Sequence, residues 1–143
     1  MDNPSPFSLI PQEIIPNLFQ SGIIVSSSLL SRFHFGLVID LEGGFDRPSL
    51  AKNITSYLYW PISDGLLPDI QILHQVSSFG AFFIKQEKNV LVHCFFGYNR
   101  SSLLTGVIMS KLGYSGDFIV KKIKDKIPLS LSNHAFLNYL LRL

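Results

Sequence analysis

Cys94 and Arg100 are separated by five residues in the segment His93 to Ser101, HCFFGYNRS, and Cys94 is the only cysteine of the 143-residue chain. A cysteine thiolate is a strong nucleophile, and a guanidinium can fork onto two oxygens of one tetrahedral anion. The apolar run Asn89 to His93 (NVLVH) predicts a strand, and Ser101 to Leu112 predicts a helix stopped by Gly113. Cys94 then stands at the carboxyl end of a strand and Arg100 in the first turn of a helix. Between them, the backbone N–H groups of Phe95, Phe96, Gly97, Tyr98, Asn99 and Arg100 can curl into a nest for phosphate, at the positive end of the helix. Gly97 sits mid-loop, where a tight ring can demand a backbone angle closed to other residues. The same field favours the thiolate of Cys94. In-line attack on phosphorus would give a phosphocysteine and expel an alkoxide or phenoxide. The scheme calls for no metal ion.

The leaving oxygen needs a proton. Asp64, in Trp60 to Gly65 (WPISDG), is the expected donor, with Glu42, Asp46 and Asp69 as alternatives on the same rim. Once ionised, the same carboxylate would activate water against the phosphocysteine. Ser101 can donate a hydrogen bond to the Cys94 sulfur and ease its departure. Strand alternation turns His93 away from the loop's interior, so it is expected to brace the loop and not to move protons.

These groups require a scaffold that brings several loops to one edge. Gly36 to Leu41 (GLVIDL) and Ser56 to Pro61 (SYLYWP) read as two further strands. Pro68 to Lys88 reads as a helix with Pro68 at its first position and Ile72, Val76, Phe79 and Phe83 on its apolar face. Asp117 to Lys126 reads as another, and Ser132 or Asn133 would cap a last one. Strands separated by crossover helices predict an α/β fold: a central, mostly parallel sheet of four to five strands flanked by helices on both faces. In such sheets ligands bind beyond the carboxyl ends of the strands. The loops after Leu41, Pro61 and His93 would share that rim.

Bulk properties set the class. The length fits one domain over residues 1–143, and 47% apolar against 15% charged residues predicts a substantial core. A net charge of +2 is modest for a nucleic-acid binder. One cysteine allows neither an internal disulfide nor a multi-thiolate zinc site. The N-terminal segment has no positive n-region, and no long apolar run lacks charge or turn residues, so neither a signal peptide nor a membrane span is expected. A reducing cytoplasm is the expected compartment for a reactive lone thiol. His34, His74 and His134 show no ligand spacing. Lys121, Lys122, Lys124 and Lys126 read as a solvated helix face, and Trp60 as core.

HCFFGYNRS fits the His-Cys-five residues-Arg-Ser/Thr signature of the protein tyrosine phosphatases, and the short chain resembles their compact dual-specificity branch. IPNLFQSG resembles that family's opening strand, GLVIDLEG its next core strand, and IPLSLSNHAFLNYLL its final loop and helix. WPISDG lies where the family's general-acid loop lies. The resemblance implies phosphomonoester hydrolysis without a cofactor, acting on phosphorylated protein or peptide. Departures exist: Phe95 and Phe96 make the loop more apolar, Ser102 follows Ser101 where a small residue is common, and no Lys lies in the loop as in inositol-phosphate specialists. The chain also looks too short for the recognition loop of strict tyrosine-specific relatives, so a shallow cleft open to phosphoserine, phosphothreonine and phosphotyrosine is expected.

Three other functions fit parts of the pattern. RNA 5′-phosphatases of the same superfamily also carry an Asn-Arg pair, as Asn99-Arg100 does, but the modest charge and Asp64 argue against RNA. Rhodanese-type sulfur carriers use a shorter loop. A non-catalytic phospho-ligand module would have little need of Cys94. Oligomeric state is not legible.

Overall fold

The computed structural model describes residues 10–24, 27–43 and 56–143. Five strands form one sheet in the order β1-β2-β5-β3-β4: β1 (Gln12–Ile15), β2 (Leu18–Ser21), β3 (Phe35–Asp40), β4 (Ser56–Tyr59) and β5 (Asn89–His93). The β1 strand pairs antiparallel with β2, while β2, β5, β3 and β4 run parallel. Every residue of β3 and all but the first of β5 are buried, which is why they read as continuous apolar runs without alternation.

Successive side chains of these central strands still sort to opposite faces. Leu37, Ile39, Val90 and Val92 join the main core, together with Cys94. Phe35, Val38 and Leu91 join a second cluster with Leu30 of α1 (Ser27–Phe33). The main core lies under α2 (Ile70–Lys85), α3 (Arg100–Lys111), α4 (Gly116–Lys126) and α5 (His134–Leu141). Helices therefore cover both faces of a mostly parallel five-stranded sheet. Among the described residues, no helix is long and apolar enough to cross a membrane.

The α3 helix is buried on every side from Ser101 to Met109. Close neighbours make this possible. A Cβ on Gly80 of α2 would meet Ile108 Cδ1 at 2.8 Å, so the glycine lets α2 pack tightly on α3.

Two expectations need correction. The α2 helix begins at Ile70, two residues after Pro68, because the Asp69 side chain accepts from Ile72 N at 3.0 Å and caps it. Its inner face is Leu73, Val76, Ser77, Gly80, Ala81 and Phe83, whereas Ile72 and Phe79 are exposed. Val76 and Phe83 of the expected face are thus buried, while small residues, Ser77, Gly80 and Ala81, fill the close approach to α3 in place of Ile72 and Phe79. The antiparallel strand β1 and the helix α1 lacked a periodic signal, being four and seven residues long.

Candidate active site

The carboxyl ends of β2, β3, β4 and β5 meet at one rim, and the segment 94–99 curls there between β5 and α3. Its carbonyls are tied to the scaffold. Phe95 O accepts from Ile23 N (2.8 Å), and Gly97 O from Gln20 Nε2 (3.0 Å). Tyr98 O accepts from Leu131 N (2.9 Å) and Ser102 Oγ (2.7 Å). A planar trans peptide points its N–H opposite its carbonyl. Anchoring these three carbonyls outward therefore turns the N–H groups of Phe96, Tyr98 and Asn99 toward the loop's inside. Gly97 takes φ +85°, a conformation that a Cβ would strain.

The Cys94 sulfur lies below this ring, 2% exposed as a residue, with Gly97 N and Ser101 Oγ each 3.3 Å away. The thiol donates to Ser101 Oγ and its sulfur accepts from Gly97 N. Packing around it is close: a Cβ on Gly22 would fall 2.7 Å from Phe96 O and 2.8 Å from Phe95 O.

Arg100 is the first residue of α3. Its Nη1 donates to the Glu42 carboxylate and to Ile62 O (3.3 Å), so the guanidinium is gripped by the loops after β3 and β4. Asp40 shapes the first of these loops, since its Oδ1 accepts from Glu42 N (2.9 Å) and Gly43 N (2.7 Å). The other Asp40 oxygen accepts from the Tyr57 hydroxyl. His93 is wholly buried, with Nε2 3.5 Å from Asp40 Oδ1, on the opposite side of β5 from Cys94. Burial pushes its imidazole below the ordinary histidine range, and Asp40, a backbone contact at Cys94 and Glu42 offset part of that effect.

Asp64 lies on the exposed turn after β4 and reaches the same rim. Its Oδ2 accepts from Asn99 Nδ2 (3.0 Å) and its Oδ1 from Asn133 Nδ2 (2.9 Å). Of the alternative carboxylates, Glu42 is paired with Arg100, Asp69 caps α2, and Asp46 lies outside the described residues. The outward side chains of the loop form an aromatic rim. Phe96 is 44% exposed and stacks on Tyr98 at 11° between planes, while Phe95 packs edge-on against Phe96.

Sequence reasoning missed Gln20, Asp40 and the bonding role of Asn133. Gln20 is fully buried in β2 beside the equally buried Ser21, and nothing in so short a strand, half of it polar, announces that burial. Trp60 packs against the main core as expected. His74 bonds Tyr139 Oη at 2.6 Å; burial first, then Lys111, lowers the His74 pKa, and burial raises that of Tyr139. Among the lysines of α4, Lys121 pairs with Asp125 and Lys124 Nζ donates to Ser130 O.

No protein-family profile matches the chain. The tyrosine-protein phosphatase yvh1 of Schizosaccharomyces pombe is 28% identical over 130 residues, covering 90% of this chain and 39% of that protein. The chain thus spans about two fifths of that relative's length. Among solved structures, Tk-PTP in its active form superposes with a TM-score of 0.78 at 20% identity, over 93% of this chain and 97% of that one. Human DUSP28 gives 0.78 at 19% identity, over 98% and 93%. DUSP15 gives 0.77 at 23% identity, over 92% and 85%. The fold is that of the compact phosphatases whose signature HCFFGYNRS resembles.

Proposed function

We propose that this chain is a cysteine-dependent phosphomonoester hydrolase whose substrates are phosphorylated proteins or peptides. The observation that carries this function is the loop itself: three carbonyls anchored outward, N–H groups turned inward, and the Cys94 sulfur beneath them between Gly97 N and Ser101 Oγ. A phosphate seated in the ring would take the inward N–H groups and the Arg100 fork on its three non-bridging oxygens. Cys94 sulfur attacks phosphorus in line, and the P–O bond to the leaving group breaks. Asp64 passes its proton to that oxygen. Asp64, now a carboxylate, then takes a proton from water as the water attacks the phosphocysteine. Inorganic phosphate leaves and the thiolate is restored, with Ser101 donating to the departing sulfur.

The function is further supported by an open groove of about 450 Å³ beside the acid loop, lined by Trp60, Ile62, Ser63, Leu66 and Leu67 among others. It offers a bed for the residues that flank a phosphorylated side chain. Activity on phosphotyrosine and on phosphoserine or phosphothreonine is proposed, in a reducing, cytoplasmic setting that keeps Cys94 a thiol.

RNA phosphatase activity gains nothing from Asn99, whose side chain is occupied by Asp64, Ser132 and Asn133. The test is hydrolysis of an aryl phosphate in the presence of chelator by the wild type and Cys94→Ser, followed by matched phosphopeptides. Wild-type turnover abolished by the substitution is expected, with rates on the phosphopeptides of comparable size. Faster release of phosphate from 5′-triphosphorylated RNA than from any phosphopeptide would reverse the substrate assignment.

A further inference from the structure

Asp64 is an exposed turn residue, and an exposed carboxylate ordinarily samples several rotamers. Here both of its oxygens are held, by two amides from different parts of the fold. The orientation of each amide follows from partners that can only donate. Asn133 Oδ1 accepts from Phe136 N (3.2 Å) as the N-cap of α5, which leaves its Nδ2 to face Asp64 Oδ1 and Gly65 O (each 2.9 Å). Asn99 Oδ1 accepts from Asn133 N (3.0 Å), which leaves its Nδ2 to face Asp64 Oδ2. Neither amide can be flipped without setting an oxygen against the carboxylate and an N–H against an N–H.

We propose that Asn99 and Asn133 are positioning residues for Asp64, docking the acid loop onto the phosphate loop before substrate arrives. This proposal rests on the phosphatase function proposed above. Asn99 belongs to the ring that cradles phosphate, and its side chain fixes where the proton donor stands relative to that ring. Asn133 ties the same carboxylate to the start of α5, whose Phe136 and Leu140 are buried in the main core. Each carboxylate oxygen uses one lone pair on an amide and keeps another for the proton and the leaving oxygen. The clamp therefore sets the donor's position without consuming its chemistry.

A residue that acts through the proton donor matters most when the leaving group needs the proton. The experiment compares kcat/KM on 4-nitrophenyl phosphate, whose leaving group departs readily as an anion, with that on phenyl phosphate, whose leaving group does not. Wild type, Asp64→Asn, Asn99→Ala, Asn133→Ser and Asp64→Asn with Asn99→Ala are measured. Serine at position 133 keeps a capping oxygen for α5 while removing the N–H donors, so helix loss is separated from acid misplacement.

The expected result is a loss on phenyl phosphate that exceeds the loss on 4-nitrophenyl phosphate by about tenfold or more in both asparagine variants, since small misplacements of a general acid forfeit much of its rate contribution. In the double variant the ratio should equal that of Asp64→Asn alone. Equal losses on both esters, or a ratio unchanged from wild type, would overturn the proposal while leaving the phosphatase function intact. A wild type silent on both esters would overturn the function and the proposal together.

Discussion

At the residue scale the proposed chemistry rests on a few atoms: the carbonyls of Phe95, Gly97 and Tyr98 are tied to the surrounding scaffold, and both close partners of the Cys94 sulfur, Gly97 N and Ser101 Oγ, are able to donate. Arg100 is held through Nη1 by the Glu42 carboxylate and Ile62 O, which restrains the guanidinium. Replacing it with lysine keeps the charge but removes the planar fork. Arg100→Lys is therefore expected to lower kcat/KM for an aryl phosphate by about 10²-fold or more, as does loss of a preorganised oxyanion donor. Steady-state kinetics would check this, and a loss under threefold would contradict the role given to the fork. Gly97→Ala forces a Cβ onto φ +85° and is expected to cost about 1–2 kcal/mol in chemical denaturation along with most of the activity. Ser101→Ala should slow breakdown of the phosphocysteine more than its formation, so that rapid mixing shows a burst of phenol ahead of a slow steady state. A single linear phase at the wild-type rate would remove Ser101 from that step.

At the element scale, the order strand, loop, helix around Cys94 was legible because all of its signals are local: an apolar run, a glycine, then helical spacing. The β5 strand was read to the residue, and α3 to within one. What surrounds the loop was not legible, because it depends on contacts between distant segments. Gln20 and Gly97 are 77 residues apart, and Asn133 and Asp64 are 69 apart. Nothing in the spacing of either pair announces a hydrogen bond. Asp64 itself was readable as a carboxyl on a loop after a neighbouring strand, but the two amides that hold it were not. The α2 helix shows the converse error in part: Val76 and Phe83 lie on the inner face as their spacing suggests, but tight packing on α3 places Ser77, Gly80 and Ala81 inward and leaves Ile72 and Phe79 exposed. Gly22, just past the end of β2, packs closely on the loop. Gly22→Ala would push a methyl against the backbone carbonyls of Phe95 and Phe96, and neither can retreat without distorting the ring. The expected outcome is a destabilisation of about 1–3 kcal/mol, typical of overpacking, with a loss of activity larger than that of unrelated variants of matched stability. Thermal melts paired with kcat/KM measurements would decide it.

At the scale of the whole molecule, the fold buries titratable groups whose protonation couples to stability. His93 and His74 both have pKa values lowered by burial. Below the ordinary histidine value of about 6.5, the unfolded chain therefore binds protons that the folded chain resists. Stability should be fully present above that value and fall as the pH drops through the window beneath it. Denaturation midpoints measured between pH 7.5 and pH 5 should decline on the acid side. The decline should be shallower in His93→Gln, whatever that variant's midpoint at pH 7.5. An identical slope would mean that His93 does not supply this coupling.

The most direct test of the central claim is to trap the phosphorylated enzyme. The protein is mixed with excess aryl phosphate, quenched in acid within the first turnovers, digested and analysed by mass spectrometry. A phosphoryl group on the peptide containing Cys94, absent in Cys94→Ser and accumulating further in Ser101→Ala, is the predicted result. Turnover of the ester with no phosphoryl group on Cys94 in either protein, or with the group on another residue, would contradict nucleophilic catalysis by this cysteine.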